Sequence, residues 1–262
     1  MKRFFLFLSL LLICSNTFSK DLRIISTMPS LTEMVYFLGM GDSLVGVSPY
    51  CQYPEEAKKL PKIGTALVLD LEKIIQLKTN LVLLPTTKDS RSLENIKSLG
   101  LDHVLVGYER LTDITKSLWE LNAKFKGHKD IQIKEFEESF IQHEKISKRV
   151  LIIISEEIKS GKVVSVRAAG SETIYGDLLD KLGVVNSLSA SYSLYPELGL
   201  EQLLKLKFDY IIRVGARENR AARSAWKDSL FASKMRFIFK DYAVVTGPRL
   251  RLLYDDMKKV VR

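Results

Sequence analysis

The residues able to do acid–base, nucleophilic or metal chemistry are few in this chain, and they are scattered. Its three histidines, His103, His128 and His143, fall in stretches that read as a strand, a loop and a helix. A zinc site needs several His, Cys or carboxylate ligands converging on one point, and this scatter argues against one. The adjacent carboxylates Glu137-Glu138, Glu156-Glu157 and Asp255-Asp256 would point apart on a helix, so they read as solvated faces. Neither Gly-x-Gly-x-x-Gly, the Walker loop nor a Gly-x-Ser-x-Gly elbow occurs. A repeated acid is the more informative feature. Leu71 to Leu84 reads Leu-Glu-x-apolar-apolar-x-Leu-Lys-x-Asn and then an apolar run. Leu200 to Arg213 repeats it 129 positions later, with Asp for Asn.

Each copy predicts a short helix, a tight turn and a buried strand. Apolar residues at i, i+3 and i+4 supply the helical stripe, and Asn80 or Asp209 breaks it. Glu72 and Glu201 then sit in the first turn of equivalent helices, where a carboxylate complements the helix dipole. A solenoid would repeat every 20–50 residues, so this separation predicts two similar lobes.

The 262 residues suit one large domain or two small ones, with 46% apolar residues to build a core. A formal charge of +9 comes without runs of five like charges, which speaks for a mildly basic surface rather than nucleic-acid binding. Residues 1–19 read as a signal peptide. Lys2 and Arg3 precede the apolar stretch Phe4 to Ile13, and Thr17-Phe18-Ser19 places small residues for cleavage after Ser19. That apolar stretch is half the length of a membrane span, which needs about 20 residues. The expected mature chain is exported, carries +7 after loss of Lys2 and Arg3, and keeps Cys51 alone, so it forms no intrachain disulfide. Lipid attachment at Cys14 is the minor alternative, with Ile13 standing where a small residue would be wanted.

Strands and helices alternate through residues 20–110, which predicts an α/β lobe with a largely parallel sheet. Residues 23–28 form the first strand, and Ser30-Leu31-Thr32-Glu33 has the form of a capping box opening the first helix. Residues 111–148 carry no strand signal. Leu111 to Phe125 reads as one helix, and Ile133, Phe136, Phe140 and Ile141 mark a second over about 129–147. At about 20 residues it would span about 30 Å and act as a rod between the lobes. Residues 149–262 form the second lobe, with strands at 149–155, 163–166, 210–214 and 242–246 and a last helix after Pro248.

Taken together, these stretches resemble the helical-backbone periplasmic binding proteins of ABC importers for cobalamin, ferric siderophores and haem, most nearly the vitamin B12-binding branch. The resemblance rests on residues 23–33 (Arg-Ile-Ile-Ser-Thr-Met-Pro-Ser-Leu-Thr-Glu), 44–54 (Leu-Val-Gly-Val-Ser-Pro-Tyr-Cys-Gln-Tyr-Pro), Lys62-Ile63-Gly64 and both Leu-Glu blocks. It implies two α/β lobes with mostly parallel sheets, one long rigid helix joining them and a ligand cleft between. It also implies that Glu72 and Glu201, one per lobe, dock onto arginines of the membrane permease. The same resemblance lines the cleft with Pro29, Ser30, Tyr50, Gly64, Thr65, Ala66, Pro85 and Thr86 from the first lobe. From the second it takes Ala169, Gly170, Tyr195, Gly215, Ala216, Arg217 and Arg249. The cobalamin branch often has a tryptophan where Ala66 stands, and haem binders often place an iron-ligating tyrosine where this chain has Thr65.

These readings converge on a monomeric periplasmic solute-binding protein. It would carry cobalamin or a related corrinoid to a permease dimer with its ATPases, catalysing nothing and needing no cofactor or metal of its own. A ferric siderophore or haem carrier of the same fold is the near rival. A secreted two-lobed α/β transferase is the rival of another class, and it would need a catalytic carboxylate or metal site in the cleft.

Overall fold

A computed structural model describes residues 22–86, 91–189 and 192–262. The expected signal segment and Cys14 lie outside the described residues. The first part of the chain runs β1 (Ile24–Ser26), α1 (Pro29–Phe37), β2 (Leu44–Val47), α2 (Glu55–Lys59), α3 (Leu71–Gln76), β3 (Leu81–Pro85), α4 (Arg91–Ser98) and β4 (Asp102–Val106). Two helices follow, α5 (Leu111–Lys124) and α6 (Asp130–Glu138). The last part runs β5 (Arg149–Lys159), β6 (Lys162–Ala169), α7 (Ile174–Lys181), β7 (Val185–Asn186), β8 (Glu197–Gly199), α8 (Leu200–Lys205), β9 (Tyr210–Gly215), α9 (Arg220–Lys227), β10 (Met235–Phe239) and α10 (Leu250–Val261).

The first four strands form a parallel sheet in the order β2-β1-β3-β4. The second sheet is mixed, in the order β10-β9-β5-β6-β8 with β7 also on β5. Its β10, β9, β5 and β7 run parallel, while β6 is antiparallel to β5 and to β8. Both repeats fold as expected: α3 and α8 are each six residues long and lead through a turn into β3 and β9. Asp70 caps α3 by accepting from the Lys73 N–H at 3.0 Å, and in α8 the Gln202 side chain accepts from the Gly199 N–H at 2.9 Å.

Three expectations fail. The helix proposed as a rod ends at Glu138, after nine residues. Beyond it the N–H groups of His143 and Ile146 each donate at 2.8 Å to the carbonyls of Lys181 and Gly183, so the chain lies as a strap across the end of α7. A Cβ on Gly183 would stand 2.2 Å from the Glu144 carbonyl oxygen, and its φ is +70°. Only glycine permits that approach. Of the stripe, Ile133, Phe136 and Phe140 are in the core, Phe140 from outside the helix, whereas Ile141 is exposed.

The capping box at Ser30 does not form. The first helix starts at Pro29, whose fixed φ suits the first helical position and which has no N–H to cap. Ser30 instead lies 3.2 Å from the Thr246 hydroxyl, and Glu33 pairs with Arg249, both partners in the second lobe. Finally, 242–246 is no strand: Asp241–Val244 is a 3-10 turn, and the edge strand is Met235–Phe239.

The two lobes share one core. A continuous apolar cluster joins Ile24, Leu81 and Leu83 of the first sheet to Val150, Ile152, Ile212 and Ile238 of the second. The space between is filled from α1, α5, α6, α7 and α10. Edge-to-face aromatic contacts run across it, Phe37 to Phe136 at 6.0 Å, Phe136 to Phe140 at 5.1 Å and Phe140 to Tyr254 at 5.5 Å. The outer faces have separate clusters, where Ile74 of α3 and Leu203 of α8 anchor their helices.

A shared core predicts that the lobes unfold together. Leu118→Ala, in the middle of α5 and fully buried, is expected to cost about 2–5 kcal/mol while preserving a single urea transition. Two separate transitions, only one of them shifted, would show that the lobes are independent.

Candidate functional site

Four parallel strands must all end at one edge of their sheet, the edge at which α/β folds bind ligands. The loops leaving it begin at Thr27, Ser48, Thr86 and Gly107, so Pro29, Tyr50, Pro85 and Thr86 are brought together there. Residues 61–63 pair in parallel beside the end of β2 through the Val47–Lys62 bridge, which carries Gly64, Thr65 and Ala66 to the same edge. Their turn is tight. Gly64 has φ +86° with the Val68 carbonyl packed against it, the Thr65 hydroxyl accepts from the N–H groups of Leu67 and Val68, and Ser92 donates to the Ala66 carbonyl at 2.6 Å. Tyr50 is 68% exposed, so its ring is free to stack on a ligand. Ser30 is buried in its contact with Thr246 and offers little surface.

From the second lobe, Tyr195 faces the first-lobe loop that leaves β4. Burial pushes its phenol up, and the nearby Glu109 and Tyr108 push it further. Gly170 is buried beneath this turn and donates to the Leu194 carbonyl at 2.8 Å, while Ala169 pairs with Ile152 inside the sheet. Gly215 ends β9 against the Phe239 ring, and Ala216 and Arg217 beyond it are exposed. By strand register Gly215 stands about three residues, roughly 10 Å, beyond the level of Ala169. The second-lobe residues therefore form two groups rather than one rim.

Arg249 is the largest departure. The resemblance implies a ligand contact, but its guanidinium grips Glu33 of α1 with two hydrogen bonds, 3.1 and 2.6 Å, and Asp241 with a third at 2.6 Å. It also lies 3.8 Å from the Tyr53 ring centre. A cavity of about 500 Å³ opens beside this clasp between the lobes, lined by Tyr36, Phe37, Tyr53, Pro54, Glu56 and Pro248 as well as the ion pair. A second clasp closes the other side, where Arg110 before α5 holds Asp177 (2.6 Å) and Glu172 (2.9 Å) of the second lobe.

Glu156 corrects another expectation. Alternation along β5 turns its side chain inward, where it is buried against Arg213 instead of standing solvated. Sequence reasoning missed Tyr108, Glu109, Tyr53 and Asp241. Tyr108 follows a strand end just as Tyr50 does, a signal that could have found it; Asp241 carries none. Among the described residues no group of three or more His, Cys, Asp or Glu could hold a metal ion, and Cys51 is a buried free thiol 3.1 Å from the Thr32 hydroxyl. Glu72 and Glu201 are both exposed in the first turns of equivalent helices.

Residues 24–236 match the family described as periplasmic binding protein. The chain belongs to that family. It is 28% identical to a vitamin B12-binding protein of Pectobacterium atrosepticum over 95% of this chain and 92% of the relative. Among solved structures, the periplasmic vitamin B12-binding protein of Vibrio cholerae superposes with a TM-score of 0.69 at 22% identity, covering 91% of this chain and 95% of that one. A periplasmic haem-binding protein of the same organism superposes with a TM-score of 0.74 at 17% identity, covering 92% and 99%. The family consists of solute-binding proteins, and this binding protein shares their two-sheet α/β fold.

The Glu33–Arg249 clasp has a measurable signature. Burial pushes the Glu33 carboxyl above the usual carboxylate range, and Arg249 offsets only part of that. The folded protein then holds this proton more tightly than the unfolded chain, so the associated stability is full at low pH and is lost as pH rises through the raised value. Wild type should therefore lose stability relative to Glu33→Gln as pH rises above about 4.5; a gain would mean that the arginine outweighs burial. Arg249→Ala, which strands the carboxylate, should cost about 3–5 kcal/mol at neutral pH by urea unfolding.

Proposed function

We propose that this protein captures a corrinoid such as cobalamin between its lobes and hands it to the permease dimer of an ABC importer outside the cytoplasmic membrane. The observation that carries the reading is the matched pair of exposed glutamates, one per lobe, at the same position of the same helix–turn–strand unit. Such placement suits a partner with two equivalent halves. Exposed charges of this kind guide encounter and register more than they add affinity.

The ligand reading draws on the tyrosines. Tyr50 and Tyr195, with Tyr108 and Tyr53 nearby on the facing edges, offer flat apolar faces with polar tips that suit a large ring. The similarity to vitamin B12-binding proteins along nearly the whole chain supports a corrinoid. Haem is the second reading, favoured by the haem-binding structural neighbours, but Thr65 has no means of ligating iron. A corrinoid brings its own metal, so the protein would need no cofactor. The shared core and the two clasps predict capture with little closure of the lobes, and release would need the permease to work against them.

Two experiments test this. Purified protein titrated with cyanocobalamin, haemin and a ferric siderophore should change the spectrum of cyanocobalamin first. Tyr50→Ala and Tyr195→Ala should each weaken that binding about tenfold without shifting the Tm, as expected for loss of an aromatic contact. Saturation by haemin alone would replace the corrinoid. In cells, Glu72→Lys with Glu201→Lys should abolish uptake and leave ligand affinity intact; undiminished uptake would refute the docking role.

A further inference from the structure

Each repeat carries an apolar residue that the fold does not bury. In the pattern Leu-Glu-x-apolar-apolar, the first apolar position is Ile74 or Leu203, and both are fully buried. The second is Ile75 or Leu204, and these stay 57% and 60% exposed. Three residues on from the glutamate, each shares a helix face with it. A lone exposed leucine needs no explanation. The same position left bare twice, beside the same acid in lobes of otherwise different sequence, does.

More apolar surface adjoins the second of these helices, where Leu200 opens α8 and Leu230, 87% exposed, follows α9. In the second lobe they border a groove of about 570 Å³ between α8, α9 and the β5–β6 turn. Leu200, Leu204, Leu230, Phe231 and Val163 line it together with Trp226. Trp226 is fully buried, and its indole N–H has no acceptor among the described residues.

Resting on the docking reading above, we propose that each docking glutamate is half of a two-part anchor whose other half is apolar. Ile75 serves beside Glu72; Leu204 with Leu200 and Leu230 serves beside Glu201. The occupant is the permease dimer, each half presenting a cationic side chain next to an apolar one. On the second-lobe side that apolar side chain enters the groove. Charge brings the partners into register and is screened by salt, whereas apolar burial sets how long they stay and is not.

The test is binding of the full-length mature protein to its own permease–ATPase complex, purified in lipid nanodiscs, at low and at high salt. Ile75→Ser with Leu204→Ser should raise the Kd about tenfold at both salt concentrations, mainly through faster dissociation, with Tm and ligand titration unchanged. Leu230→Ser, outside the repeat, should act in the same direction. Glu72→Lys with Glu201→Lys should hurt most at low salt. If the lysine pair fails to dock while the serine pair docks like wild type, the apolar half is wrong and charge docking stands. If both pairs dock like wild type, the docking reading itself falls and takes the anchor with it.

Discussion

Separating the two lobes would bare apolar surface that belongs to both of them. Val35 and Leu118 on the first-lobe side and Leu178 and Met257 on the second are fully buried in one cluster. Parting them would cost about 25 cal/mol for every Å² of apolar area returned to water. The stiffness that a single rod helix would have provided comes instead from this shared interior, and α6 contributes by filling it. The aromatic run from Phe37 to Tyr254 passes through α6 for the same reason. A nine-residue helix suffices because side-chain packing, and not helix length, carries the connection.

Polar clasps mark the edges of that interior. Arg249 with Glu33 and Asp241 stands on one side, and Arg110 with Asp177 and Glu172 on the other. Of these only Glu33–Arg249 is buried, and a buried ion pair is weak support for stability, since desolvation offsets much of its attraction, but it tolerates few alternative geometries. These pairs are better understood as setting the relative placement of the lobes. That role explains why an arginine at the rim of the binding region is held by carboxylates on two sides.

A fixed frame has a consequence at the outer faces. The helices α3 and α8 cover the sides of the sheets turned away from the shared core, each held by one buried residue of its stripe. Their glutamates are thus presented on rigid supports whose spacing the core determines. A partner with two equivalent halves meets a preorganised pair of contacts and loses little conformational freedom on binding. Cargo and partner then address different parts of one rigid body, the strand ends for the first and the outer helices for the second.

The sequence alone determined the helix–turn–strand repeats, the parallel first sheet, the edge at which Tyr50 and Thr86 emerge, and the solvent-facing glutamates. All of these follow from local apolar periodicity, turn residues and strand direction, which act over a few residues. Tertiary structure decided the rest. Ser30 and Glu33 spell a capping box, yet their partners are Thr246 and Arg249, each 216 positions away. Glu156 reads as solvated until its strand register turns it onto Arg213. The 129–147 stripe named three core residues, Ile133, Phe136 and Phe140, but misplaced Ile141, which is exposed, and missed the conformation, because the strap's hydrogen bonds to Lys181 and Gly183 outweigh its helical preference. Periodicity reports which residues leave water, while long-range contacts, invisible along the chain, choose where they go.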